Sequence, residues 1–142
     1  MGGELVLDVR ITNRLTAHGF QQVAQTYYPE SFGNATIRFV NEVLQLEIVR
    51  DRSVFWAEIG PTGQDDDKMV PLQHVFGALK IPYHKFSNLI EQIVLFNRNY
   101  DTVAAQYSPD RFDEFWRMLN RYMNEQFTLH HPGLKNWPDP EE

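Results

Sequence analysis

Ala35–Gly60, ATIRFVNEVLQLEIVRDRSVFWAEIG, decides how this chain folds. Apolar and polar residues alternate through it in three runs, broken at Asn41-Glu42 and at Asp51-Arg52. Asn and Asp are residues that favour tight turns. A two-residue turn at each break fixes a register. Phe39 then lies opposite Leu44 and Ile37 opposite Leu46; beyond the second turn Ile48 lies opposite Phe55, Leu46 opposite Ala57 and Leu44 opposite Ile59. Because side chains alternate along a strand, Ile37, Phe39, Leu44, Leu46, Ile48, Phe55, Ala57 and Ile59 share one face. The opposite face carries Thr36, Arg38, Val40, Val43, Gln45, Glu47, Val49, Val54, Trp56 and Glu58. Two turns placed independently yield one continuous apolar face, which predicts an antiparallel meander of three strands.

Toward the N-terminus, Phe20–Tyr28, FQQVAQTYY, reads as a fourth strand. It is bounded by Gly19 and by the turn-rich Pro29–Asn34, and it is expected beside its sequence neighbour. Glu4–His18 reads two ways. Leu5, Leu7, Val9 and Ile11 alternate as in a strand, whereas Leu7, Ile11 and Leu15 recur at helical spacing ahead of Gly19, a helix-ending residue. The helix is the preferred reading, with the β-branched content against it.

Toward the C-terminus, Gly60–Lys68 is a loop with three consecutive aspartates, Asp65, Asp66 and Asp67. They lack the spaced oxygen ligands and distant glutamate of a calcium loop. Three helices are predicted next. Pro71–Leu79 places Leu72, Val75, Phe76 and Leu79 on one stripe. Asn88 to about Gln106 starts with Asn88 and Glu91 in capping-box spacing, and Asn97-Arg98-Asn99 can interrupt it. Pro109 to about Phe127 follows the Ser108-Pro109-Asp110 start signal and lines up Phe112, Phe115, Trp116, Leu119, Tyr122 and Met123 as a core stripe. The tail from His130 to Glu142 contains three prolines and no periodicity.

The segment YYPESFGNATIRFVNEVLQLEIVRDRSVFWAEIGP resembles a group of small bacterial proteins that includes immunity proteins of polymorphic toxin systems. The matching residues are Pro29–Asn34 and Val49–Arg52, with Ser53 where the turn is expected to hold glycine. The resemblance implies a short helix, a meander and then helices. Its motifs are structural and bring no catalytic residues with them.

The bulk composition narrows the function. Thirteen Lys+Arg against nineteen Asp+Glu give a net charge of −6, a poor match for nucleic-acid phosphates and compatible with a basic protein partner. With no cysteine there is no disulfide framework, thiolate metal site or cysteine nucleophile. No apolar run of membrane-spanning length and no signal-peptide pattern is visible, so a cytoplasmic location is expected. The five histidines form no HExxH motif, and no nucleophile elbow or phosphate loop occurs.

These observations predict an α+β fold: a four-stranded antiparallel meander with helices packed on one face, forming a single domain over 1–129 with a tail over 130–142. The expected function is a non-enzymatic, cofactor-free cytosolic protein-binding domain, of the immunity type that the resemblance implies, whose partner is a basic toxin domain. Two alternatives stand beside it. One is a small enzyme or ligand-binding domain with a pocket between sheet and helices; the other is a homodimeric assembly module. The expected partner surface is the outer sheet face at Trp56, with Glu47 opposite it and Glu58 two residues along, together with Asp65, Asp66 and Asp67.

Overall fold

In a computed structural model, residues 7–28, 34–63, 66–85 and 87–130 are described, apart from the side chains of Asp66 and His130. The chain is α+β. Five strands form one antiparallel sheet in sequence order: β1 (Gln21–Tyr28), β2 (Asn34–Val40), β3 (Leu44–Asp51), β4 (Val54–Pro61) and β5 (Val70–Pro71). Helix α1 (Val9–Thr16) precedes them, and α2 (Leu72–Ala78), α3 (Leu89–Arg98), α4 (Tyr100–Gln106) and α5 (Phe112–His130) follow.

Among the described residues the sheet has five strands rather than four. The fifth, Val70–Pro71, pairs with Ile59 and Glu58 of β4. Two residues are too short to show alternation, and Pro71 also serves as the N-cap of α2. A proline cannot donate to a further strand, so it fits this edge position.

The meander lies where expected, but both registers are offset by two. Phe39 pairs with Leu46 and Ile37 with Ile48. Leu46 pairs with Ile59, Ile48 with Ala57 and Leu44 with Pro61. The cause lies in the turns, each centred one residue later than the sequence suggests. At the first, the Asn41 N–H donates to the Leu44 carbonyl at 2.9 Å, so the two turn residues are Glu42 and Val43. Asn41 sits at the first turn position, where its side-chain oxygen accepts from the N–H groups of Val43 (2.9 Å) and Leu44 (2.8 Å). At the second turn Asp51 pairs with Val54, leaving Arg52 and Ser53 between them.

An offset of two keeps every side chain on its predicted face. Ile37, Phe39, Leu44, Leu46, Ile48, Ala57 and Ile59 are buried against the helices. Phe55 is on that face but pairs with Arg50 near the hairpin tip, and it is 39% exposed. The helices cover the same side: Leu72, Val75 and Phe76 of α2, Ile93 and Phe96 of α3, and Phe115 and Leu119 of α5 complete the core.

Arg52 and Ser53 have φ of 54° and 71°, the left-handed pair that a two-residue hairpin turn demands. A non-glycine residue there is strained by about 1–2 kcal/mol. Ser53→Gly removes strain while loosening the unfolded chain, and a net stabilisation of roughly 0.5–1 kcal/mol is expected. It should appear as a higher urea midpoint with an unchanged slope.

The N-terminal segment is helical where it is described. The Asp8 carboxylate caps α1, accepting from the Arg10 N–H at 2.8 Å and pairing with its guanidinium, and the helix buries Ile11 and Leu15. That hydrogen bonding holds the Asp8 carboxyl down at about 2. Gly19, at φ 81°, ends the helix in a Schellman arrangement: Phe20 N–H donates to the Leu15 carbonyl and Gly19 N–H to the Thr16 carbonyl. His18 stacks on Tyr100 with centroids 3.9 Å apart, and the Asn41 amide donates to both the His18 carbonyl (3.0 Å) and the Tyr100 hydroxyl (2.8 Å). One asparagine thus joins the turn after α1, the β2–β3 turn and α4.

The second predicted helix is two helices. Asn88 and Glu91 form the expected capping box, and the break falls at Asn99, whose side chain donates to the Leu95 carbonyl at 2.9 Å. The last helix starts at Phe112, after a turn in which Ser108 donates to the Asp110 carboxylate. It runs through His130, so the predicted boundary at 129/130 falls inside a helix. The remainder of the tail, like Glu4–Val6 and the Pro29–Gly33 motif, lies outside the described residues.

Candidate functional site: the outer sheet face

β2, β3 and β4 place Arg38, Glu47, Trp56 and Glu58 on the face turned away from the helices. The two-residue offset rearranges them relative to the sequence expectation. Glu47 is not opposite Trp56; its cross-strand partner is Glu58, and Trp56 pairs with Val49. Two carboxylates therefore face each other across β3 and β4, an arrangement that destabilises a sheet unless it is compensated.

The compensation is unequal. On β2, Arg38 lies directly across from Glu47 and donates to its carboxylate at 3.0 Å, while also donating to Gln45 at 3.2 Å. Arg38 and Glu47 are each only about a fifth exposed, so water screens the pair less than at an open surface. Gln45 is anchored in turn, donating to the Pro61 carbonyl at 2.9 Å. Glu58 accepts a hydrogen bond from the Trp56 indole N–H at 3.0 Å, a neutral donor. Among the described residues no cation forms a salt bridge with Glu58. Trp56 is half-buried and is held in place by that bond.

Of the aspartate run, only the side chain of Asp67 is described. Asp65 and the side chain of Asp66 lie outside the described residues. Asp67 is exposed in a short 3₁₀ turn, Asp66–Lys68, whose end packs on Gly60. Gly60 is four residues along β4 from Trp56, about 13 Å at the usual strand rise. Lys68 reaches the helical side, with its ammonium 4.4 Å from the centre of the Trp116 ring.

Arg38 and Gln45 were missed as members of the site. The signal existed, since Arg38 and Glu47 share a face by parity, but the unshifted register set Arg38 against Gln45 instead.

Other concave regions differ in character. An open groove of about 590 Å³ lies between the start of α1, the β3–β4 turn and the start of α3. Leu7, Ile11, Val54, Phe55, Leu89 and Ile90 make it mainly apolar, with Asp8, Ser53 and Asn88 adding polar groups. Elsewhere, His74 packs edge-on to Tyr122, and burial lowers its pKa. Tyr122 is pushed up to about 12, by burial first and then by its hydrogen bond with Tyr83. Among the described residues, no group of three or more histidines and acids could hold a metal ion, and no helix is long and apolar enough to cross a membrane.

No family model, curated protein or solved structure matches this chain.

Proposed function

We propose that this chain is a protein-binding domain whose outer sheet face receives a basic side chain of its partner at Glu58, beside Trp56. The observation that carries this reading is the facing pair Glu47 and Glu58, in which Glu47 has the Arg38 guanidinium and Glu58 has only an indole N–H among the described residues. A partner lysine or arginine offsets the repulsion between the carboxylates and lies next to an aromatic ring, which suits tryptophan as an interface anchor. The net charge of −6 steers such a partner and raises its association rate at low salt. The resemblance of Pro29–Asn34 and Val49–Arg52 to immunity-type proteins makes the partner a basic toxin domain, neutralised by direct binding in the cytosol.

Co-expression in bacterial cells with the product of the adjacent gene tests this. The wild-type chain is expected to restore growth and to bind that product. Trp56→Ala should weaken binding by about thirtyfold or more, corresponding to a hot spot of about 2 kcal/mol. Glu58→Gln should slow association and flatten its salt dependence. Thermal melts separate a lost contact from a lost fold. If both variants keep their melting midpoint and bind as tightly as wild type at low salt, this face is not the site. If the adjacent product is harmless or unbound, the immunity reading fails.

A further inference from the structure

The two edges of the sheet are built in opposite ways. At one, β5 is two residues long and ends in Pro71, which blocks further pairing. At the other, β1 runs for eight residues, and every one of them, Gln21 through Tyr28, is exposed. No described element buries either face of this strand. It contains no lysine, glutamate, aspartate, arginine or proline, the residues that usually protect an edge. Val23 is 58% exposed and Tyr28 48%. One irregularity interrupts β1, a register shift between Gln22 and Ala24, and from Ala24 to Tyr28 the strand pairs regularly with β2.

We infer that β1 is the site at which a second copy of this chain adds, antiparallel and edge to edge, to make one continuous ten-stranded sheet. Three features select a second copy over another protein. Two copies of a neutral strand meet without opposing like charges, in a chain whose net charge is −6. An antiparallel two-fold contact is self-complementary, because each strand offers the other the same row of groups. The regular stretch Ala24–Tyr28 also has Thr26 at its centre, with Ala24 and Tyr28 on the same face as Thr26. Centring the two-fold on Thr26 sets each Tyr28 against the small Ala24 of the other copy and Thr26 against its own counterpart, a favourable strand pair. The contact is smaller than a tight interface, so dissociation constants of roughly 10–100 µM are expected.

Sedimentation velocity of the full chain over a concentration series tests the inference, using Thr26→Glu and Thr26→Lys. Thr26 is exposed, so neither variant should change the melting temperature by more than a degree or so. Wild type is expected to shift from one chain to two as concentration rises. Each variant alone should stay a monomer, since like charges meet at the two-fold, and an equimolar mixture of the two should sediment as a dimer again. A wild-type chain that remains monomeric up to ~500 µM, well above the expected constant, overturns the proposal. So does a variant that dimerises as wild type does, which places the interface elsewhere, or a mixture that stays monomeric.

Discussion

Leu46→Asp is expected to abolish the cooperative melt. Leu46 lies on the middle strand of the meander, is fully buried, and has Phe39 and Ile59 as its cross-strand partners. Its side chain lies in the core that the sheet shares with the helices, where its surroundings are apolar. Loss of the leucine alone costs about 3–5 kcal/mol. A carboxylate at that depth either stays charged without a partner or takes up a proton at a large cost, and each route adds several kcal/mol. The sum reaches the entire stability of an ordinary domain, about 5–15 kcal/mol. Far-UV circular dichroism should show no sigmoidal transition from 20 °C upward, while Leu46→Met, which conserves volume, should lose about 1 kcal/mol. A cooperative transition at the wild-type midpoint would place Leu46 on the wrong face and remove the meander as described.

The second large effect comes from a glycine inside a helix. Gly77 belongs to α2, where alanine is ordinarily worth about 1 kcal/mol more than glycine. Here the expected sign is the opposite. A Cβ on Gly77 would overlap the hydroxyl and ring of Tyr122 on α5, so the missing side chain is what allows the two helices to meet. Tyr122 is itself fixed by Tyr83 and by the His74 ring, which limits how far it can move aside. Overpacking of this kind costs about 1–3 kcal/mol or more. Gly77→Ala is therefore expected to lower the melting temperature by roughly 5–10 °C. Tyr122→Leu in the same chain removes the ring that the new methyl meets. The double variant should melt higher than the two separate losses add up to, a coupling characteristic of residues in contact. A melting temperature raised by Gly77→Ala would mean that helix propensity prevails and the contact is slack.

The candidate site was only partly legible. Face membership of Trp56, Glu47 and Glu58 follows from the period of two, and the structure keeps it. Who faces whom depends on the register, and a shift of two changes every partner while leaving every face intact. Asn41 and Asp51 marked the turns correctly but occupy the first turn position, not the second. The sequence shows that they favour a turn; their position within it depends on which backbone groups the folded chain leaves for the side chain to satisfy. Arg38 was hidden as the partner of Glu47, and Glu47 as the partner of Glu58, by that single residue.

By itself the sequence determined what local periodicity and end signals carry: the stop at Gly19, the capping box at Asn88, the break near Asn99, the strand character of β1 to β4 and the apolar face of the meander, while the segment before Gly19 read both as helix and as strand until the structure made it helical. Each of these rests on residues within a few positions of one another. Tertiary structure alone decided the two-residue strand β5, the notch at Gly77 that admits Tyr122, and the exposure of all of β1. A two-residue strand exists only because β4 supplies its hydrogen-bonding partner. A glycine is needed only where another helix comes close, and an edge is open only where no element lies beside it. These are properties of distances between residues far apart in the chain, which no local pattern encodes.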